Sequence, residues 1–129
     1  MKGCGEMIII NAFRVWDIEA GRYLKPDDYS YITLNHDGEL LVFDICDNPS
    51  ILSRSYYKIE RFTGFTDMNG CDVYEGDLII DQHRDQPHRV FFNAEMGCFV
   101  AQHDSSLASR NLISAFGRFL EVVGTVHDV

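Results

Sequence analysis

Three carboxylates lie close together in the middle of the chain, at Asp67, Glu75 and Asp77. Two such groups facing one substrate are the acid and the base or nucleophile of glycosidases. A second role is structural, because Asp and Thr side chains hydrogen-bond backbone amides at tight turns. The neighbouring glycines and asparagine favour the second role. The sequence therefore predicts a structural turn motif made of Thr63, Gly64, Asp67, Asn69, Gly70, Glu75, Gly76 and Asp77.

The segment Asp67-Met68-Asn69-Gly70 also resembles the beginning of a calcium-binding loop. Such a loop needs further oxygen ligands at defined offsets and a distal glutamate that binds through both oxygens. Glu75 comes too early for that role. Asn-Gly is instead the strongest short signal for a type I′ hairpin turn, in which both residues have positive φ. The sequence predicts a hairpin tip at Asn69-Gly70 and no calcium.

Three histidines, His83, His88 and His103, are the remaining candidates for chemistry. They could bind a transition metal if adjacent strands brought them together, but their spacing matches no metal motif. Whether they converge stays open. The chain contains no Gly-rich phosphate loop and no Gly-x-Ser-x-Gly nucleophile elbow. The sequence therefore predicts neither an enzyme nor a cofactor.

The four cysteines, at positions 4, 46, 71 and 98, are far apart, and no Cys-x-x-Cys pair suggests a zinc knuckle. Two disulfides are possible, but a cytoplasmic setting favours free thiols. The chain has no apolar run of the roughly 20 residues that span a bilayer. We therefore predict a cytoplasmic protein with no membrane partner.

Composition argues against a general nucleic-acid-binding role. Twenty acidic residues against eleven basic ones give a net charge of −9. Proteins that grip phosphates usually carry the opposite balance, because Lys and Arg release the counterions of the nucleic acid.

The turn motif has a counterpart in a known family. Thr63-Gly64, Asp67, Asn69-Gly70 and Tyr74–Asp77 stand in an order that resembles the YopX family of phage and prophage proteins. Phe13–Asp17 is similar to the family's opening Phe-Arg-x-Trp-Asp, and Glu121–Asp128 to its closing strand. The resemblance implies a fold and a genetic setting. It implies no biochemical activity, because none is established for the family.

Strand and turn signals predict an all-β protein, mainly β with one short helix. Asp37-Gly38 and Ala94–Gly97 are predicted as hairpin turns, and Cys46–Ser50 and Gln82–His88 as loops. The helix is predicted over Ser105–Phe116. We expect a YopX-like small β-barrel in a single domain, 1–129, with an N-terminal β-meander at 6–58 and an SH3-like half at 59–129.

Aromatic residues are concentrated in the N-terminal half, and a small sheet protein cannot bury all of them. Tyr56 and Tyr57 should point to opposite faces of one strand, so at least one is a possible interface residue. We expect a non-catalytic accessory module that binds protein partners: itself, most simply as a dimer, and an unidentified phage or host protein. A nucleic-acid-associated factor or a DNA mimic is the alternative.

Overall fold

The structure, a computed structural model, describes residues 13–25, 28, 31–44, 46, 48–81, 84–103, 110–112 and 119–128. The described residues form strands and turns, which confirms the predicted all-β class. The chain divides into two compact units, Glu6–Arg61 and Phe62–Val129. The division falls within one strand, β6 (Tyr57–Thr66), as does the boundary between 58 and 59 that the sequence suggests. No helix of the described residues is long and apolar enough to cross a membrane.

The N-terminal unit begins with a hairpin of β1 (Phe13–Asp17) and β2 (Arg22–Tyr23). Strand β1 also pairs antiparallel with β6, placing Phe13 opposite Arg61 and Asp17 opposite Tyr57. Asp17 fixes the turn between β1 and β2, because its backbone carbonyl accepts from the amide of Gly21 and its side chain from that of Ala20. The two strands pair antiparallel, with Trp16 opposite Tyr23.

A three-stranded antiparallel sheet follows in the same unit. Its order is β3 (Tyr31–Leu34), β4 (Leu40–Phe43) and β5 (Pro49–Leu52). The predicted turn at Asp37-Gly38 is present, with Gly38 at a φ of 77°. The core of the unit consists of buried apolar side chains from the strands and the loop after β2: Phe13, Val15, Leu24, Ile32, Leu40 and Val42.

Strand β5 corrects the prediction that Cys46–Ser50 is only a break. The turn itself is real, since the Asp44 carboxylate accepts from the amides of Cys46 and Asn48. The strand then begins at Pro49, which pairs opposite Phe43. Proline lacks a backbone N–H but is tolerated as the first residue of a strand, so its presence hid the strand in the sequence.

The C-terminal unit begins with the hairpin between the second half of β6 and β7 (Asp72–Tyr74). A sheet of antiparallel strands follows in the order β11-β10-β9-β8-β12. Its strands are β8 (Asp77–Asp81), β9 (Arg84–Asn93), β10 (Cys98–Gln102), β11 (Arg110–Leu112) and β12 (Glu121–Thr125). The core joins β7 to this sheet through Val73, Ile79, Val90, Ala101, Leu120 and Val122.

Two predictions for this unit were wrong. Arg84–His88, predicted as part of a loop, belongs to β9, and residues 85–87 form a bulge opposite the single residue Ile80. Bulges accommodate proline, here Pro87, within a strand. Arg110–Leu112, predicted as helix, form β11 and pair with β10. The rest of the predicted helix lies outside the described residues. The SH3-like description stays a prediction.

Candidate functional site

Asp67 holds together the tip of the hairpin between β6 and β7. Its side-chain Oδ1 accepts hydrogen bonds from the amides of Asn69 and Cys71, at 2.8 and 2.9 Å. Its backbone N–H donates to the Cys71 carbonyl at 2.8 Å, and its carbonyl accepts from the Gly70 amide at 3.0 Å. One residue therefore binds the polar backbone groups on both sides of the tip.

The same carboxylate also reaches the last described strand. Its second oxygen, Oδ2, accepts from the amide of Val122 in β12 at 3.1 Å, and Asp67 is itself buried. Next to it, the amide of Met68 donates to the carbonyl of Leu120 at 2.7 Å. Strand β12 pairs with β8 through its other edge. The hairpin tip thus binds one edge of β12, and β8 pairs with the opposite edge. The contacts of Asp67 and Met68 with β12 and Leu120 are called the clasp below.

The hydrogen bonds correct the predicted turn type. In a type I′ turn centred on Asn69 and Gly70, the closing bond would come from the Cys71 amide to the Met68 carbonyl. The observed bond runs from Gly70 to Asp67, so Met68 and Asn69 are the central residues. Gly70 follows them with a φ of 81°. This is the pattern of a three-residue hairpin loop, a type I turn followed by a left-handed glycine.

Thr63 is a second polar residue of the motif that the fold uses internally. Its buried hydroxyl donates to the Val73 carbonyl at 2.7 Å and accepts from the Phe65 amide at 3.2 Å. Gly64, between Thr63 and Phe65 in the chain, has a φ of 89°. The pairing of β6 with β7 shifts register between Phe62 and Thr66. Thr63 and Gly64 therefore support the irregular part of the hairpin.

The motif ends in a bend at Glu75-Gly76. Asp77 stabilises this bend by accepting from a backbone amide, as Asp67 does at the hairpin tip. Asp77 is fully buried, and its Oδ2 accepts from the Tyr74 amide at 2.8 Å. Gly76 has a φ of 85°; its amide donates to Val90 and its carbonyl accepts from Val126. Glu75 is half-buried. The bend thereby joins β7 and β8 to β9 and to the residue that follows β12.

These contacts define the structural roles of two of the three acidic residues, Asp67 and Asp77. Both oxygens of Asp67, and one oxygen of Asp77, accept from backbone amides, so these groups fix the chain. Aspartate side chains commonly stabilise turns by accepting from backbone amides in this way. Within the described part of the chain, no three His, Cys, Asp or Glu side chains lie close enough to hold a metal.

The N-terminal unit contains a buried ionic cluster that the sequence did not reveal. Arg14 on β1 and Glu60 on β6 are neighbours across the strands, and Arg14 Nε lies 2.7 Å from Glu60 Oε1. Their side chains are 2% and 0% exposed. The Tyr23 hydroxyl donates to the same glutamate oxygen at 2.8 Å, and the Arg14 guanidinium stacks 4.5 Å from the Tyr23 ring centre.

This cluster explains the opening motif Phe13–Asp17. Phe13 and Val15 enter the core, and Arg14 forms the buried pair. Trp16 packs edge-on against Tyr23, with ring centres 4.8 Å apart, and Asp17 fixes the turn. The only sequence signal for the pair was an arginine at alternating spacing within an apolar strand. Its partner lies 46 residues away, and the sequence offered no signal for that pairing.

The two tyrosines predicted as interface residues differ in exposure. Tyr56 lies in the turn before β6 and is 56% exposed, whereas Tyr57 is half-buried against the core of the N-terminal unit. The Tyr56 carbonyl accepts from the amide of Ile18, which is itself 52% exposed. Ile18 and Tyr56 therefore form neighbouring parts of one exposed surface, called the Tyr56 surface below.

Two of the three histidines come together. The rings of His88 and His103 are 5.5 Å apart between centres, and His88 is buried. His83 lies outside the described residues. The predicted free thiols are present at Cys46 and Cys98, but Cys71 is disulfide-bonded, so the prediction is wrong for this residue. Cys4 lies outside the described residues.

Comparisons with known proteins decide the family. The sequence matches the YopX protein family over residues 12–129. The chain belongs to the YopX family. No curated protein matches it.

Two solved structures share the fold of this YopX family member. The crystal structure of protein yopX from Bacillus subtilis has 18% sequence identity and a TM-score of 0.60, and the match covers 92% of this chain and 94% of that one. A protein from Enterococcus faecalis has 20% identity and a TM-score of 0.58, with coverage of 94% and 96%. At these identities the similarity establishes the fold alone. The YopX family has no characterised function.

Proposed function

We propose that this YopX family member is a non-catalytic accessory module that binds protein partners through the Tyr56 surface, and that its first partner is a second copy of itself. The observation that carries the proposal is the exposure of Ile18 and Tyr56 next to each other. Aromatic side chains are enriched at the centres of protein interfaces, because one residue buries a large area with little loss of rotamer entropy.

The position of the surface favours a specific interface. Tyr56 lies in a turn in which its amide donates to the Ser53 carbonyl at 3.0 Å, and Tyr57 packs against the core. A pre-ordered anchor loses less entropy on binding than a mobile one. Exposed charges of both signs are close in sequence, Glu19 beside Ile18 and Lys58 after Tyr57. A two-fold interface requires such self-complementary chemistry.

The use of the buried polar groups supports the non-catalytic part of the proposal. Asp67, Asp77, Thr63 and the Arg14–Glu60 pair all contact backbone or each other. The net charge of −9 argues against a nucleic-acid partner. The phage and prophage setting of the resemblance suggests a phage or host protein as a further partner, in the cytoplasm.

Sedimentation equilibrium at micromolar concentration tests the proposal. We expect the wild-type protein to sediment at about twice 14.8 kDa. Tyr56→Glu should return the mass to 14.8 kDa, because it places a charge in the interface, while the circular dichroism spectrum stays that of a folded β protein.

The matched control is Phe65→Glu, which changes an aromatic residue of similar exposure, 40%, in the C-terminal unit. It should leave the dimer intact. A wild-type protein that sediments as a single species near 14.8 kDa would overturn the proposal, and so would a dimer that Tyr56→Glu leaves unchanged.

A further inference from the structure

Strand β5 lies at the edge of the three-stranded sheet of the N-terminal unit, and among the described strands it pairs with β4 alone. Pro49, Ser50 and Ile51 are exposed, and for Ile51 the exposed fraction is 59%. An edge strand presents backbone donors and acceptors that can pair with another chain, and proteins usually protect such edges with charges or bulges. Strand β5 contains no charged residue. Its free edge is therefore a surface on which a second strand can be added.

The hydrogen bonds of the turn before β5 show which backbone groups of the strand face outward. The Asp44 amide donates to the Asn48 carbonyl at 3.2 Å, so these two residues form a hydrogen-bonded pair at the start of the ladder. Bonded and non-bonded pairs alternate along antiparallel strands. Ser50 is therefore bonded to β4, whereas Pro49 and Ile51 direct their backbone groups away from it. The missing N–H of Pro49 thus removes no bond to β4.

The outward groups of β5 complement those of a second β5 that runs antiparallel to it. A two-fold axis at Ile51 places this residue opposite its own copy, so the two isoleucines exchange both of their backbone hydrogen bonds. The same register places the Ser53 amide of one copy opposite the Pro49 carbonyl of the other. The converse bond cannot form, because Pro49 has no N–H. It is not needed, because the Ser53 carbonyl already accepts from the amides of Tyr56 and Tyr57, at 3.0 and 3.2 Å.

The side chains at this axis are apolar. Leu41 of β4 and Ile51 of β5 are directly opposite. They lie on the face of the sheet that is turned away from the core of the unit, because Leu40 and Val42, the neighbours of Leu41, enter that core. Leu41 is half-buried and Ile51 is exposed. Pairing of two copies would continue this apolar row across the axis and bury the two isoleucines against each other.

Charges of opposite sign stand at the two ends of β5. Asp44 precedes the strand and Arg54 follows it, and both are exposed. The side-chain amide of Asn48 donates to the Asp44 carboxylate at 3.2 Å, and the register centred on Ile51 places Arg54 of one copy opposite Asn48 of the other. Arg54 also donates to the Gly38 carbonyl, which leaves its positive charge unchanged. Each end of the paired strands therefore brings an anion and a cation together.

We propose that two copies of this chain join through their β5 edges, so that two three-stranded sheets become one continuous antiparallel sheet. This pairing rests on the proposed function, because it assigns the backbone edge through which the second copy binds. The Tyr56 amide is bonded to Ser53 at the end of β5, so the Tyr56 surface adjoins the paired edges. Backbone bonds between the two edges fix the register, and the neighbouring side chains supply the apolar contact area.

Hydrogen exchange at the Ile51 amide, followed by NMR, is the first test, because it needs no substitution. In a monomer this amide faces solvent and should exchange rapidly. In the paired sheet it donates to the second copy, so its exchange should slow by roughly tenfold or more as rising protein concentration forms the dimer. The Ser50 amide, which is bonded to β4, is the internal control and should be protected at every concentration. A dimer whose Ile51 amide stays unprotected would overturn the β5 pairing and leave the Tyr56 proposal standing.

Sedimentation equilibrium of Ile51→Pro is the second test. Proline removes the outward N–H and is tolerated on an edge strand where that N–H faces solvent, so the variant should fold and sediment near 14.8 kDa. The matched control, Ile51→Val, keeps the N–H and should stay dimeric.

The two proposals can fail separately in this experiment. If Ile51→Pro stays dimeric while Tyr56→Glu dissociates the protein, the β5 pairing is refuted and the Tyr56 surface is not. If Ile51→Pro dissociates the dimer while Tyr56→Glu leaves it intact, the β5 pairing is supported and the Tyr56 surface is refuted. A wild-type protein that is monomeric at every concentration refutes both.

Discussion

At the scale of single residues, the most unusual feature is the charge pair inside the N-terminal unit. The side chains of Arg14 and Glu60 are almost completely buried. One carboxylate oxygen of Glu60 accepts from both Arg14 and the Tyr23 hydroxyl. A buried ion pair adds little net stability over a well-packed apolar pair, but loss of one partner leaves an uncompensated charge. The main effect of the pair should therefore be to fix the register between β1 and β6. Its net contribution to the stability of the unit should be small.

Glu60→Gln is expected to lower the free energy of unfolding by about 3–5 kcal/mol, because it removes the carboxylate that contacts the buried Arg14 guanidinium. The double variant Arg14→Met with Glu60→Gln should recover most of that loss. Urea unfolding of both variants and the wild type measures the difference. A single variant as stable as the wild type would contradict the account.

The surface pair between Arg22 and Asp28 is the matched control. Both terminal nitrogens of the Arg22 guanidinium donate to the Asp28 carboxylate, at 2.9 and 3.1 Å, but the pair faces solvent. Asp28→Asn should therefore cost no more than about 1 kcal/mol. The hydrogen bond from Arg22 lowers the pKa of Asp28. The stabilisation by the Arg22–Asp28 pair should be complete at a pH above the ordinary aspartate pKa of about 3.9. It should disappear as the pH falls through the lowered pKa of Asp28.

At the scale of elements, turn chemistry carried most of the predictive information in the sequence. Gly38 and Gly97 have positive φ at predicted hairpin turns, and Gly76 has it at the predicted bend. Proline concealed two strands, since Pro49 begins β5 and Pro87 lies in the bulge of β9. Strand β11, which was predicted as helix, contains no proline. Local signals identify proline as a breaker, and only the pairing of the neighbouring strand shows where it is tolerated.

Gly70→Val tests the revised turn at the tip of the β6–β7 hairpin. A Cβ at Gly70 would have no neighbouring atom within 4 Å. The loss of stability would therefore come from the backbone strain of a side chain at a φ of 81°. We expect a loss of about 1–3 kcal/mol in urea unfolding, because a β-branched residue resists that conformation.

Asn69→Ala is the control that separates the two turn types. In the observed turn Asn69 is a central residue of type I, which accepts most residues, so the substitution should cost much less than Gly70→Val. In a type I′ turn Asn69 would need positive φ, and the two losses would be similar. Equal losses would therefore restore the type I′ assignment.

At the scale of the whole molecule, the sequence predicted the class and family well and the sites unevenly. The structural role of Asp67 followed from turn chemistry, but its contact with Val122 joins residues 55 positions apart and has no local signal. The pairing of His88 with His103 depends on the register of β9 and β10, and His88 was assigned to a loop. Exposure of Tyr56 rather than Tyr57 depends on where β6 begins.

We infer that the motif shared with the YopX family is a clasp that closes the C-terminal unit. Asp67 is its centre, because one carboxylate binds the hairpin tip and the edge of β12. In Asp67→Asn, one oxygen becomes an NH₂ group. Whichever way that amide turns, a donor then faces a backbone N–H.

The hydrogen-exchange rate of the Val122 amide in the native state reports whether the clasp is closed. An unsatisfied buried donor costs about 1–3 kcal/mol, so Asp67→Asn should speed exchange at Val122 by roughly tenfold or more. Asp72→Asn, the same change at an exposed position of β7, should leave it as in the wild type. Unchanged protection of Val122 in Asp67→Asn would contradict the clasp.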